Sequence, residues 1–223
     1  MIQALIFDFD GLILDTELSS FQTWQEIYQE HDCDLPFEIW AACIGTSALT
    51  FDPYTHLESL LGRPLQRDEI LHRRRTRHVA IVEKQPLLPG VETYLREAKR
   101  CGLRIGLASS SHHEWVDNHL ERLGILSYFD TIKCGNDVEH VKPDPALYLA
   151  VLDALNVRGK QAIALEDSPN GVRAAQRAGI FCIAIPNIVT SQLPLEHADM
   201  RLTSLDEMPL EQLLAKVEEM VTS

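Results

Sequence analysis

Long apolar runs are missing from this 223-residue chain. No stretch approaches the roughly 18 consecutive apolar residues that a spanning helix needs, so no membrane partner is expected. Cysteine is sparse and poorly spaced for pairing. The five cysteines, at 33, 43, 101, 134 and 182, form no CxxC pair and are odd in number, which argues against a disulfide framework and fits a reducing cytoplasm. Positive charge is short as well: 20 Lys and Arg face 33 Asp and Glu, for a formal net charge of −13. A surface of that sign repels polyanions, so nucleic acid is not expected as a partner. The segment from Met1 to Leu14 lacks a basic flank and carries Asp8 and Asp10, and it does not read as a signal peptide. Internal repeats and low-complexity tracts are absent.

What is present is ordinary for a soluble globular protein: 45% hydrophobic and 24% charged residues. The length suffices for one sizeable core, or a core with a smaller insert, and a monomer is compatible with it. Ile2 to Phe9 is a short apolar run of the kind buried on both faces of a parallel sheet. From Thr16 to Glu83 the pattern is helical throughout, with Phe21, Trp24 and Ile27–Tyr28 at helical spacing and breaks at Pro36, Gly45, Pro53, Gly62 and Pro64. Beyond Pro89-Gly90, strand-like runs (103–108, 131–134, 162–165, 181–185) alternate with helical ones (91–100, 112–123, 145–155, 168–178), and a final helix spans about 209–221. Such alternation predicts an α/β, Rossmann-like parallel sheet with helices on both faces. The expected organisation is a discontinuous core, 1–15 and 88–223, interrupted by an all-helical insert over 16–87.

Asp8 and Asp10 stand at the end of the first strand. Residues i and i+2 of a strand share a face, and ligands of open parallel sheets bind beyond the carboxyl ends of the strands. Taken alone, the pair reads equally well as turn or cap residues. Glu166 and Asp167 repeat the arrangement after a later apolar run, although Asp167 or Ser168 could equally cap the next helix. Four acids at one rim repel one another, a cost that a hard divalent cation removes; all-oxygen ligation points to Mg²⁺. Ser109, Ser110 and Ser111 precede a helix whose N-terminus suits a phosphate, or simply cap it. Lys142 lies in a Pro-flanked loop, Val141-Lys142-Pro143-Asp144-Pro145, and is either a surface lysine or a fixed point charge for an anion. The run Arg73, Arg74, Arg75 and Arg77 reads as a solvated helix face or as a field that attracts an anionic substrate. Trp24 and Trp40 read as core, and His112 and His113 as an exposed first helical turn or as contacts to a substrate phosphate. Cys134 has no base near it in sequence and little claim to be a nucleophile.

Asp8-Phe9-Asp10-Gly11, Ser109, Lys142 and Glu166-Asp167 match, in order and spacing, the four motifs of the haloacid-dehalogenase-like superfamily. The texts FDFDGLILDTE, VKPDP and LEDSPNGVRAA resemble its β-phosphoglucomutase-like branch, and the likeness spans nearly the whole chain, more loosely in the helical insert. The resemblance implies a Mg²⁺-dependent phosphatase acting on a small phosphorylated metabolite. Asp8 would be the nucleophile that becomes an aspartyl phosphate, and Asp10 the general acid and base. Ser109, Ser110 and Lys142 would bind the phosphoryl group. Asp8, the main-chain carbonyl of Asp10, Glu166 and Asp167 would hold the metal, Glu166 directly or through water. The insert over 16–87 would be a mobile cap. Two departures weaken the alternative, a phosphosugar mutase: Ser20 replaces the His of that branch's mutases, and Ile44-Gly45-Thr46-Ser47 lacks their following Arg. The insert's single lysine, Lys84, sits at its hinge end, which disfavours a Schiff-base phosphonate hydrolase, and Asp10 disfavours a true dehalogenase. Phosphoglycolate phosphatase stays open.

Overall fold

The computed structural model describes residues 1–41 and 51–222. Six parallel strands form one sheet: β1 (Ala4–Phe7), β2 (Arg104–Ala108), β3 (Thr131–Lys133), β4 (Ala162–Glu166), β5 (Phe181–Ala184) and β6 (Met200–Arg201). Their spatial order is β3-β2-β1-β4-β5-β6. The chain winds outward from β1 to β3, then crosses back to place β4 on the other side of β1. That reversal puts the topological switch point between β1 and β4, where a crevice opens beyond their carboxyl ends.

The two sheet faces differ in side-chain size. Leu5, Phe7, Ile105, Leu107, Ile163, Leu165 and Ile183 point to one side, where α5 (Val91–Arg100), α6 (His113–Arg122) and α9 (Leu210–Thr222) pack. Ala4, Ile6, Ala108, Ala162, Ala164, Cys182 and Ala184 face the other, against α7 (Ala146–Leu155) and α8 (Pro169–Arg177). Small side chains let these two helices approach closely. A Cβ added at Gly106 would lie 2.4 Å from Val151 Cγ1 on α7. Period-two alternation thus sorts each strand's residues between two cores.

Between β1 and α5 lie four described helices: α1 (Thr16–Gln29), α2 (Phe37–Ala41), α3 (Pro53–Leu61) and α4 (Arg67–Val82). Local signals start and stop them. The Asp15 side chain accepts from Leu18 N to cap α1. Asp52 caps α3 at Tyr54 N and Thr55 N, with Pro53 in the first turn and Gly62 in the left-handed conformation at the end. Phe21, Trp24, Ile27, Tyr28, Leu35, Trp40, Leu57 and Ile70 form a third apolar cluster, which Val189 joins from the loop after β5. Trp24 and Trp40 are core, as expected. The chain leaves the sheet and returns to it side by side, with Leu88 N donating to Ile13 O over 2.9 Å.

Candidate active site

The β1–β4 ladder runs one residue past β1. Asp8 N donates to Leu165 O over 3.0 Å, which sets the Asp8 carboxylate beside the end of β4. There Lys142 Nζ bridges two acids, 2.5 Å from Asp8 Oδ1 and 2.6 Å from Glu166 Oε1. Glu166 is fully buried and also accepts from Tyr148 Oη over 2.6 Å and from Ser168 Oγ over 3.3 Å. Lys142 therefore occupies a buried ion-pair position, not the surface. Asp167, 2% exposed, accepts from Asn187 Nδ2 over 2.8 Å, and the same amide reaches Gly11 O at 3.1 Å. Of the two cap candidates for α8, Ser168 does the capping, accepting from Gly171 N at 3.1 Å. Asp167 is left free to face the crevice.

Two glycines permit this density of carboxylate. Gly11 has φ +82°, and a Cβ there would lie 2.2 Å from Asp167 Oδ2. At Gly171 an added Cβ would fall 1.9 Å from Glu166 Oε2, so the first turn of α8 sits directly on the Glu166 carboxylate. Burial and the charge of Glu166 raise the Asp8 pKa, and Lys142 opposes them. Burial, followed by Asp8, Glu166 and Glu17, raises Asp167 well above the carboxylate range.

Asp8, Glu166 and Asp167 present ligand oxygens that all lie within 4.8 Å of one another. Three buried carboxylates meet one ammonium there, and the excess negative charge in a low-dielectric pocket suits a divalent cation. The donor set is all oxygen and fits Mg²⁺ chemistry. Asp10 contributes no carboxylate to this cluster. Its side chain parts from that of Asp8, because β1 has ended and the chain turns through Phe9 and Gly11. Asp10 Oδ2 accepts from Ser111 Oγ at 2.6 Å and Ser109 Oγ at 3.4 Å, and Oδ1 accepts from Trp115 Nε1 at 3.0 Å. Asp8 and Asp10 meet again as walls of one cleft of about 260 Å³, with Glu17, Ser110, Lys142 and Asp167. Ser109 is buried at the end of β2, while Ser110 is exposed at the mouth.

A larger chamber of about 970 Å³ adjoins this cleft, sharing Asp10, Glu17 and Ser110. Its other walls include Ser20 of α1, Arg74, Arg75 and His78 of α4, and His112 and Trp115 near the start of α6. The basic run of α4 divides between two environments. Arg73 and Arg77 pair with Glu30, which caps the end of α1, and Arg77 also with Glu26 of α1, whereas Arg74 and Arg75 face the chamber. Burial, with Asp10 and Asp15 nearby, raises Glu17 to about 7. His113 is not a free surface histidine, since it bridges Asp117 and Asp137. Burial pushes the Cys134 thiol up to about 12, aided by Asp117 and Asp137, so it stays protonated. The segment Ile44-Gly45-Thr46-Ser47 lies outside the described residues.

Sequence reasoning missed Tyr148, Asn187 and Trp115. Asn187 comes from the loop after β5 and Tyr148 from the first turns of α7, and no local pattern links either to an acid far away in the chain. A cleft of carboxylates, lysine and serines at the switch point agrees with a comparison of the sequence. Residues 5–185 match the family of haloacid dehalogenase-like hydrolases. The chain belongs to that family.

This hydrolase is 48% identical over 214 residues to "Putative phosphatase YhcW" of Bacillus subtilis, covering 96% of this chain and 97% of that protein. It is 31% identical over 220 residues to hexitol phosphatase B of Escherichia coli K12, covering 96% and 97%. Its fold is similar to the crystal structure of β-phosphoglucomutase from Clostridium difficile, with a TM-score of 0.76, 24% identity and complete coverage of both chains. The α/β sheet with flanking helices is therefore the family's fold.

Proposed function

We propose that this haloacid dehalogenase-like hydrolase is a Mg²⁺-dependent phosphatase of a small phosphorylated metabolite, working through a phosphorylated Asp8. The observation that carries the reading is the buried set Asp8, Lys142, Glu166 and Asp167 opening on a cleft walled by Asp10 and Ser110. Relatives named as phosphatases support it. In the first step an Asp8 carboxylate oxygen forms a bond to phosphorus as the bond to the leaving oxygen breaks, and Asp10 gives that oxygen its proton. In the second, Asp10 takes a proton from water as the water oxygen attacks phosphorus. The acyl phosphate bond breaks, which restores the Asp8 carboxylate and releases inorganic phosphate.

Lys142 and the Ser109–Ser110 turn orient and neutralise the phosphoryl oxygens. Asp8, the Asp10 main-chain carbonyl, Glu166 and Asp167 would hold Mg²⁺, which supplies positive charge beside the phosphoryl group when bound. The chamber takes the organic part of the substrate, with Arg74 and Arg75 on its wall and no carboxylate within ion-pair reach of either among the described residues. Residues 16–87 act as a cap: their helices share an apolar cluster, and the chain enters and leaves them side by side. Cap closure excludes bulk water from the reaction. Ser20, placed on the chamber wall, offers no imidazole for the transfer that a mutase needs.

The test is phosphate release from a panel of phosphorylated sugars, polyols, nucleotides and short acids, with Mg²⁺ and with a chelator. Mg²⁺-dependent turnover of a subset is expected, and Asp8→Asn should fold normally yet lose at least about 10³-fold in activity. Turnover undiminished in Asp8→Asn would overturn the assignment.

A further inference from the structure

We propose that Trp115 is a positioning residue for Asp10, braced by His78 of the helical insert. The proposal rests on the reading of Asp10 as the proton donor and acceptor of the reaction. An aromatic column ends on that carboxylate. Trp115 Nε1 donates to Asp10 Oδ1 over 3.0 Å, and an indole N–H has no other role available to it. Ser111 Oγ holds the second oxygen at 2.6 Å. Between them the two donors fix which way the Asp10 carboxylate faces, 3.4 Å from Ser109 Oγ and on the wall of the cleft.

The indole ring is itself held from two directions. On one side the His78 ring of α4 lies nearly parallel to it, with centroids 5.4 Å apart and planes inclined by 12°. From within α6, His119 meets it edge-on at 4.3 Å. His119 stacks in turn on Phe9, the residue between Asp8 and Asp10. His78 is anchored by its ring nitrogen, 3.2 Å from Thr16 O at the start of α1. Burial lowers the pKa of both histidines, which favours neutral rings in the stack. Asp10, the core helix α6 and the insert helix α4 are thereby joined through one side chain. A shift of α4 against α6 changes the support of the indole, and with it the orientation of the acid. The arrangement accounts for a large, half-buried aromatic on the chamber wall whose only polar atom points at a reacting group.

The test compares kcat/KM for phenyl phosphate, whose leaving oxygen needs a proton, with that for p-nitrophenyl phosphate, whose leaving oxygen needs it far less. Asp10→Asn should depress the ratio of the two and sets the scale. Trp115→Phe keeps a ring in the stack but deletes the donor; the ratio should fall about tenfold, the scale of a lost hydrogen bond to a charged group. His78→Leu should lower it in the same direction by less, and carries the test should Trp115→Phe fail to fold. In the double variant Asp10→Asn/Trp115→Phe the ratio should equal that of Asp10→Asn, because both changes act on one group. Parallel losses on both substrates, or independent effects in the double variant, would show that Trp115 only supports the fold. An Asp10→Asn ratio equal to that of the unaltered protein would sink the role of Asp10, and the proposal with it.

Discussion

At the scale of single residues, the site is governed by what a buried carboxylate costs. Glu166 is fully enclosed, and each oxygen of an enclosed carboxylate needs donors. Lys142, Tyr148 and Ser168 supply them. The Tyr148 hydroxyl is as buried as the acid it serves. Tyr148→Phe keeps the ring and its packing while removing one charge-assisted bond, so a loss of about 2 kcal/mol in unfolding free energy is expected. Urea denaturation without added metal measures it, and an unchanged midpoint would show that Lys142 and Ser168 suffice for Glu166. The sequence announced the acids and the lysine because they sit in short motifs. Tyr148 carries no such signal, being one aromatic among the apolar residues of an ordinary helix.

Elements place these side chains by where they end. β1 and β4 stop together at the switch point, so Asp8 and Glu166 are brought side by side by parallel register, not by proximity in the chain. The start of α6 is pinned differently. As the imidazolium, His113 donates from Nδ1 to Asp117, one turn along the helix, and from Nε2 to Asp137, in the loop after β3. Desolvation alone would lower its pKa, but the bonds to Asp137 and Asp117 outweigh it and raise the imidazole above its ordinary value. Asp137 moves the opposite way: the Cys134 N–H and His113 overcome desolvation and lower it. A raised histidine stabilises the fold below its unfolded pKa of about 6.5, and that stability is lost as pH rises through the folded value. A lowered carboxylate stabilises above its unfolded pKa and loses that stability as pH falls through its folded one. The clamp is therefore strongest in mildly acidic solution. Compared with His113→Gln, the unaltered protein should show a larger advantage in Tm at pH 5.5 than at pH 8.5; an equal advantage at both would leave His113 no ionic role.

At the scale of the whole molecule, part of the acidic surplus sits where it is least tolerated. A formal charge of −13 spread over a surface is mild, but three carboxylates within 4.8 Å in a buried crevice are not. Any cation that binds the folded state and not the unfolded chain stabilises by mass action, by about 2.7 kcal/mol at 100 times its Kd. Millimolar Mg²⁺ should raise the Tm by several degrees, and Asp167→Asn should abolish most of that rise while stabilising the metal-free protein through relief of repulsion. Equal Mg²⁺ responses from both proteins would place the cation elsewhere.

The alternation of strands and helices, the helices that follow the first strand, and the short motifs carrying Asp8, Lys142, Glu166 and Asp167 were all legible in the chain itself. Each is a local property, a period of apolar residues or a few polar ones after a buried run, and local physics suffices to write it. Where the Asp8 and Asp10 side chains part, that Ser168 and not Asp167 caps α8, that Asn187, Tyr148 and Trp115 complete the site, and that Arg74 turns to the chamber while Arg73 pairs with Glu30 were decided only by the tertiary fold. The partners of Asn187, Tyr148 and Trp115 are distant in sequence and meet because the winding of a parallel sheet carries the ends of β1, β2, β4 and β5 to one edge, while Arg73 meets Glu30 because α4 packs along α1. No short window of sequence contains that geometry.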